Sequence, residues 1–181
     1  MPNLITIMRI ALIPVFMACM SSGWRVAALV IFSVASATDF IDGYLARRMG
    51  QITTFGKIID PLADKLLVLA ALAYFIREET VAVWVVVVVL AREFIISSLR
   101  TVAASAGTVL AAGLSGKIKT AVQIGCVITI LTPWHMTELW PSFPLFSLAS
   151  WLMAAVTVWS GLDYLIRHRT LFKAIKRESK I

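Results

Sequence analysis

Long apolar runs alternate with short polar breaks along most of the chain, and this pattern predicts a series of helices. Most of the runs have roughly the 20 residues that a helix needs to cross the hydrocarbon core of a bilayer. The valine run Val85–Val89 favours a strand by propensity, but a lone strand would leave its backbone groups unsatisfied in lipid, so we predict helix there too. We predict six helical segments, at residues 4–22, 24–46, 58–76, 81–104, 118–133 and 144–166.

The composition indicates a membrane protein. Of 181 residues, 60% are hydrophobic and only 15% are charged, and the mean hydropathy is +0.88. Soluble globular domains usually contain about 45–50% apolar and about 25% charged residues, and so many apolar runs could not all be buried in one small core. We therefore predict an all-α integral membrane protein, a bundle of six transmembrane helices that forms a single domain over residues 1–181.

The Lys and Arg residues are distributed unevenly between the predicted loops, and this orients the bundle. Loops one, three and five contain only Arg25 and Arg77, whereas loops two and four and the C-terminal tail are rich in cations. Because positive charge collects on the cytoplasmic side, we predict that both termini are cytoplasmic. The net charge of +7 also suits an anionic lipid or substrate at that face. Since no basic run is interleaved with aromatic residues, we predict no nucleic-acid partner.

Four aspartates lie within or at the inner ends of segments two and three, where a charge in lipid costs at least ~2.5–3.5 kcal/mol. Asp39 and Asp42 are three residues apart, and Asp60 and Asp64 are four apart, so each pair occupies one helix face. A short inner loop makes the two segments an antiparallel pair, which lets the four carboxylates converge. Because converging anions repel, either some of them are protonated or cations bind, and oxygen ligands without His or Cys suit Mg²⁺ or Mn²⁺.

Small and cationic residues accompany the aspartates. Gly43 lies one turn after Asp39, where it lets a ligand or a neighbouring helix approach closely, although ordinary helix packing explains it equally well. Arg47 lies one turn past Gly43, where it could donate two hydrogen bonds to a phosphate. Pro61 follows Asp60 directly and either starts the third helix or kinks it.

Two further charge patterns concern later segments. Asp163 and Arg167 are four residues apart, so we predict a local ion pair. Arg92 and Arg100 are eight residues apart, about two turns, and therefore share one helix face. Arg92 lies deep enough to need a partner, which we do not expect to be the adjacent Glu93 because neighbours on a helix point in different directions.

The residues from Asp39 to Asp64 resemble the signature of the CDP-alcohol phosphotransferases. The matching string is Asp39-x2-Asp42-Gly43-x2-Ala46-Arg47-x8-Gly56-x3-Asp60-x3-Asp64. The resemblance extends over residues 2 to about 125, where three stretches are similar to a bacterial subfamily that makes phosphatidylglycerol phosphate: residues 2–9, 91–100 and 116–123. It implies a six-helix bundle, usually a homodimer, in the bacterial inner membrane, with the active site facing the cytoplasm.

The resemblance also implies a reaction and a set of site residues. The phosphatidyl group of CDP-diacylglycerol would pass to sn-glycerol 3-phosphate, giving phosphatidylglycerol phosphate and CMP. Two Mg²⁺ or Mn²⁺ ions would be held by Asp39, Asp42, Asp60 and Asp64, with Asp64 also the candidate base. The nucleotide would be bound by Asn3, Gly43, Arg47 and Thr53, although Thr53 also suits a helix cap.

A phosphorylated acceptor requires a second cationic pocket. The candidates for binding its phosphate are Arg92, Arg100, Lys117 and Lys119. For Lys117 and Lys119, ordinary positive charge of an inner loop is the competing explanation.

Three alternatives remain open from the sequence. The same fold could use another acceptor, namely inositol phosphate, serine or phosphatidylglycerol. Intramembrane carboxylates are also typical of a divalent-cation carrier, although the glycine and arginine beside the aspartates disfavour transport. Within the enzyme hypothesis, a covalent aspartyl intermediate is the alternative to direct attack by the acceptor hydroxyl.

Overall fold

The described part of the chain forms six helices whose bounds lie close to the predicted apolar segments. The computed structural model describes residues 2–49, 54–105, 113–133 and 145–169, with side chains described for residues 7–38, 65–105, 113–133 and 145–169. The helices are α1 (Pro2–Ser21), α2 (Arg25–Met49), α3 (Thr54–Arg77), α4 (Val83–Ser105), α5 (Leu114–Leu131) and α6 (Leu145–Arg167). Within these ranges there is no strand, so the prediction of an all-α protein with a helical valine run is confirmed.

Two helices begin four residues before their predicted apolar segments. α3 starts at Thr54 and α5 at Leu114, because the polar residues of these first turns are compatible with helix although they are not apolar. Pro61 is consequently the eighth residue of α3 and does not start it. The alternative that placed this proline at the first helical position is therefore wrong.

Tight turns join α1 to α2 and α3 to α4 at one end of the bundle, which we call the turn end. Gly23 adopts a φ of 76° in the first turn, and Glu79 adopts a φ of 58° in the second, both in the left-handed region that reverses the chain after a helix. The Arg25 guanidinium donates a hydrogen bond to the Glu78 carboxylate at 2.7 Å and thereby links the two turns. Predicted loops one and three therefore lie at the same end of the molecule.

The helices pack as two sets of three. α1 contacts α2 and α3, α6 contacts α4 and α5, and the sets meet where α5 touches α2 and α3 and where α3 touches α4. Among the side chains that the structure describes, the largest fully buried apolar ones are Phe16, Phe32, Leu67, Leu72, Phe75, Val85, Val89, Val127, Ile130, Leu131 and Met153. The opposite end, where α2 ends and α3 begins, we call the aspartate end, because both pairs of aspartates belong to it.

The outer surface of the bundle is apolar. Val87, Phe94 and Trp151 are 57%, 66% and 63% exposed, and many other large apolar side chains also face outward. Within the described ranges, α5 and α6 are long and apolar enough to cross a membrane, and α1 and α2 contain shorter apolar stretches at Ile7–Ser21 and Arg25–Thr38. Such a surface is typical of contact with lipid or with a partner rather than with water.

Candidate active site

The backbone brings the predicted metal ligands to one end of the molecule. Asp39 and Asp42 lie in the later part of α2, Asp60 and Asp64 lie in the earlier part of α3, and these two helices contact each other. The four aspartates therefore belong to neighbouring antiparallel helices, as predicted. Their side chains lie outside the described residues, so the metal site itself stays a prediction.

The predicted nucleotide-binding residues belong to the same end. Asn3 lies in the first turn of α1, and Gly43 and Arg47 lie in the last turns of α2. The side chains of Asn3 and Arg47 lie outside the described residues, as does the whole of Thr53. The structure thus brings three of these four positions to the aspartate end and leaves their roles as predictions.

A cavity of about 140 Å³ lies among the helices, and apolar core side chains such as Leu67 and Val89 line much of it. Arg9, Lys65, Glu93 and Lys119 also line it, from four different helices. Lys65 directly follows Asp64 along α3, and its ammonium donates a hydrogen bond to the Ser97 hydroxyl of α4. Charged side chains of four helices therefore meet at this cavity.

Glu93 accepts hydrogen bonds from two cations on one carboxylate oxygen. Lys119 Nζ of α5 lies 2.5 Å from Glu93 Oε1, and Arg92 Nη1 lies 3.0 Å from the same atom. The prediction that Glu93 does not partner Arg92 is therefore wrong. The two residues diverge at their Cβ atoms, but the arginine side chain is long enough to reach its neighbour. Arg92 Nη2 also donates to Ser160 Oγ of α6 at 2.7 Å, so one arginine connects α4 with α6.

Arg92 passes through a narrow space that two glycines leave open. A Cβ atom at Gly161 would lie 3.3 Å from Arg92 Cγ, and a Cβ at Gly116 would lie 3.9 Å from Arg92 Nη2. The first distance is tighter than ordinary van der Waals contact, whereas the second is ordinary. Of the two glycines, Gly161 is therefore the one at which a Cβ atom would crowd the Arg92 side chain.

We expect Gly161→Ala to displace Arg92 and to weaken the binding of any ligand that this arginine contacts. The new methyl group would push Cγ by a few tenths of an ångström, and overpacking of this kind typically costs about 1–3 kcal/mol. The measurement is the turnover of purified protein, with Gly125→Ala as the matched control because nothing lies within 4 Å of a Cβ there. Equal activities of the two variants would contradict this account of Gly161.

The structure brings two of the four predicted acceptor-phosphate residues together. Arg92 and Lys119 meet at Glu93, whereas the Arg100 guanidinium lies 5.4 Å from the centre of the Tyr164 ring of α6. Arg92 and Arg100 thus both face α6, and the prediction that they share a helix face is confirmed. Lys117 is exposed on α5.

Two arginine nitrogens on this face of α4 lack acceptors. Arg92 Nε and Arg100 Nε are buried, and neither has a hydrogen-bond partner within the described part of the chain. A buried donor without an acceptor is unfavourable by about 1–3 kcal/mol. An anion with several oxygens, such as a phosphate, could supply the missing acceptors.

A second polar contact joins α5 to α6. Asp163 accepts hydrogen bonds from Ser115 Oγ at 2.5 Å and from Arg167 Nε at 2.8 Å. The predicted local ion pair between Asp163 and Arg167 is confirmed. The bond from Ser115, which the sequence did not reveal, fixes the beginning of α5 against the end of α6.

Ser97, Ser115 and Ser160 were not predicted as site residues, although the sequence carries a signal for Ser115. Ser115, Lys119 and Gln123 are each four residues apart and are 4%, 5% and 4% exposed. A polar stripe with helical spacing in an otherwise apolar helix indicates a buried polar face. For Ser97 and Ser160 no comparable signal exists, because their partners lie on other helices.

The four aspartates have the donor chemistry that divalent cations prefer. Among the side chains that the structure describes, no group of three or more His, Cys, Asp or Glu residues could hold a metal ion. The four carboxylates of α2 and α3 supply oxygen ligands on neighbouring helices, which is the chemistry that Mg²⁺ and Mn²⁺ prefer.

Fold and site together define a class of protein. It is an apolar helical bundle in which two neighbouring helices carry aspartates and buried cations meet at a carboxylate. This arrangement suits a phosphate-bearing substrate. The sequence profile of the CDP-alcohol phosphatidyltransferases matches residues 1–159. The chain belongs to this family, and the resemblance found in the sequence is confirmed.

Curated relatives are similar over nearly their whole length. The chain is 43% identical to a protein of Bacillus subtilis (strain 168) over 179 residues, which cover 91% of this chain and 92% of the relative. It is 37% identical to a protein of Pseudomonas fluorescens, with 91% and 87% covered, and 40% identical to one of Yersinia enterocolitica, with 91% and 92% covered. All three relatives bear the name CDP-diacylglycerol--glycerol-3-phosphate 3-phosphatidyltransferase.

Proposed function

We propose that this protein transfers the phosphatidyl group from CDP-diacylglycerol to sn-glycerol 3-phosphate, giving phosphatidylglycerol phosphate and CMP. Family membership and the names of relatives 37% to 43% identical support this reaction. The structural observation that carries the proposal is the meeting of two poorly exposed cations, Arg92 and Lys119, at Glu93, which lines the same cavity as Lys65, the residue after Asp64. An acceptor that carries its own phosphate needs such a cationic site.

In the reaction we propose, the acceptor hydroxyl attacks the β-phosphorus of CDP-diacylglycerol directly. A bond forms between the hydroxyl oxygen and this phosphorus as the bond from the phosphorus to the bridging oxygen breaks, and the electron pair leaves with CMP. Asp64 takes the proton of the attacking hydroxyl. Arg47 donates to the diphosphate, where its planar fork matches phosphate oxygens.

We place two divalent cations on Asp39, Asp42, Asp60 and Asp64. Such ions, when bound, polarise phosphoryl oxygens and neutralise the charge that develops on a leaving phosphate. Around them, Asn3, Gly43 and Thr53 are the further candidates for binding the nucleotide. The residues proposed to bind the acceptor's phosphate are Arg92, Arg100, Lys117 and Lys119, of which Lys117 is exposed and has the weakest support.

We also propose that all six helices span the bacterial inner membrane, with the aspartate end and both termini facing the cytoplasm. The outward-facing apolar side chains and the two helices long enough to cross a bilayer support this arrangement. The cation-rich loops two and four adjoin the aspartate end, which the positive-inside rule places in the cytoplasm. The homodimer implied by the family resemblance stays a prediction, for which the mass of the purified protein in detergent is the test.

The acceptor is tested with a panel of purified substrates. We expect CMP release only when CDP-diacylglycerol, sn-glycerol 3-phosphate and Mg²⁺ or Mn²⁺ are all present. Serine should react at least about 100-fold more slowly, because it has no phosphate and leaves the donors of the site unpaired. Inositol phosphate and phosphatidylglycerol, which carry phosphate, test whether the site also selects the glycerol part of the acceptor.

Two outcomes of this panel would overturn the proposal. Efficient transfer to serine would show that the cationic site does not select a phosphorylated acceptor. Flux of divalent cations through the protein in vesicles that lack CDP-diacylglycerol, without any CMP release in the complete mixture, would favour a carrier.

A further inference from the structure

We propose that Glu93 is a positioning residue for the acceptor, because it holds Lys119 and Arg92 in the arrangement that receives the acceptor's phosphate. This inference rests on the proposed function. Glu93 does not contact the substrate in this account. It acts through the two cations, which come from different helices and share its Oε1 atom.

The burial of the three groups makes the carboxylate necessary. The side chains of Lys119, Arg92 and Glu93 are 6%, 12% and 17% exposed. Two cations this close together and this poorly solvated repel each other, and water can screen them only slightly. A carboxylate between them offsets the repulsion and fixes both donors through charge-assisted hydrogen bonds.

The contacts of Arg92 leave donor capacity for a ligand. Arg92 directs Nη1 to Glu93 and Nη2 to Ser160, while its buried Nε has no acceptor within the described part of the chain. Glu93 and Ser160 thus hold the guanidinium at one edge and leave another donor unused.

The test compares Glu93→Gln with Glu78→Gln. Glu78 forms the Arg25 ion pair at the turn end, so the control also removes an interhelical carboxylate but lies far from the proposed pocket. For Glu93→Gln we expect the KM for sn-glycerol 3-phosphate to rise about tenfold, since bonds to charged groups contribute about 1.5–3 kcal/mol. The kcat and the KM for CDP-diacylglycerol should change by less than about threefold, a split that a general loss of packing would not produce.

A double-mutant cycle with Lys119→Met checks that Glu93 acts through this cation. In the Lys119→Met background, Glu93→Gln should raise the KM for sn-glycerol 3-phosphate clearly less than it does in the wild type, because coupled residues are not additive. Inorganic phosphate, used as a competitive inhibitor against sn-glycerol 3-phosphate, should bind Glu93→Gln about tenfold more weakly than the wild type. If Glu93→Gln does not fold, Glu93→Asp replaces it, and its KM should lie between those expected for wild type and Glu93→Gln.

Three results would overturn the inference. The first is an unchanged KM of Glu93→Gln for sn-glycerol 3-phosphate. The second is a lowered KM, which would show that Glu93 competes with the phosphate for the cations. The third is full additivity of the two substitutions in the double-mutant cycle. Failure of the proposed function looks different, because the wild-type protein would then release no CMP with sn-glycerol 3-phosphate at all.

Discussion

Replacement of Asp64 by Asn should lower CMP release about 1,000-fold, since a positioned general base contributes about 10²–10⁴-fold and this carboxylate is also a proposed metal ligand. The substitution preserves the shape of the side chain and removes its charge. Asp64 lies in a continuous part of α3, so the helix itself should persist. The measurement is the initial rate of CMP release at saturating concentrations of both substrates.

Glu79→Gln is the matched control for Asp64→Asn. Glu79 is exposed in the turn between α3 and α4, at the opposite end of the bundle, and its charge should not matter for turnover. A titration with Mn²⁺ gives a second readout, because loss of a ligand should raise the metal concentration needed for the residual activity. An Asp64→Asn variant with wild-type rates and metal dependence would remove Asp64 from both of its proposed roles.

Arg92→Lys should lower kcat/KM for sn-glycerol 3-phosphate about 100-fold, which corresponds to about 2.7 kcal/mol. A lysine keeps the positive charge but lacks the planar fork. It could not donate to Glu93 and to Ser160 at the distances of 3.0 and 2.7 Å that the arginine reaches. One partner would lose its donor, and the phosphate would meet a misplaced cation.

Arg25→Lys is the control, because Arg25 also forms an ion pair with a glutamate of another helix, Glu78, but at the turn end. Its steady-state constants should stay within about threefold of the wild type, because partly exposed ion pairs contribute little. If Arg92→Lys retained full kcat/KM for the phosphorylated acceptor, charge alone would suffice at this position. The structural importance of the contact with Ser160 would then be refuted.

The hydrophobic pattern was sufficient to locate the six helices that the structure describes, because nearly every one of them carries a long apolar stretch. It missed the first turns of α3 and α5, since hydropathy reports apolar character and not the hydrogen bonds that define a helix. Lys57 and Lys117, for example, lie inside helices although both interrupt the apolar pattern.

The site was predictable where spacing along one helix decides it. Two residues at i and i+2 point to different sides of a helix, so the contrast between exposed Lys117 and buried Lys119 follows from spacing alone. The contacts of Arg92 with Glu93 and Ser160 were not predictable. They depend on which helix lies beside α4, on the rotation of that helix and on the reach of a flexible side chain. None of these can be deduced from the local periodicity of the sequence.

The position of the two tight turns has a practical consequence for engineering this protein. Because the turns at Gly23 and Glu79 and the ion pair that links them lie at the end of the bundle opposite the aspartates, resistance to heat and catalytic rate should be adjustable separately. Mutant libraries restricted to the half of the bundle that contains Gly23 and Glu78 should yield variants that are more stable in detergent and turn over substrate at the normal rate.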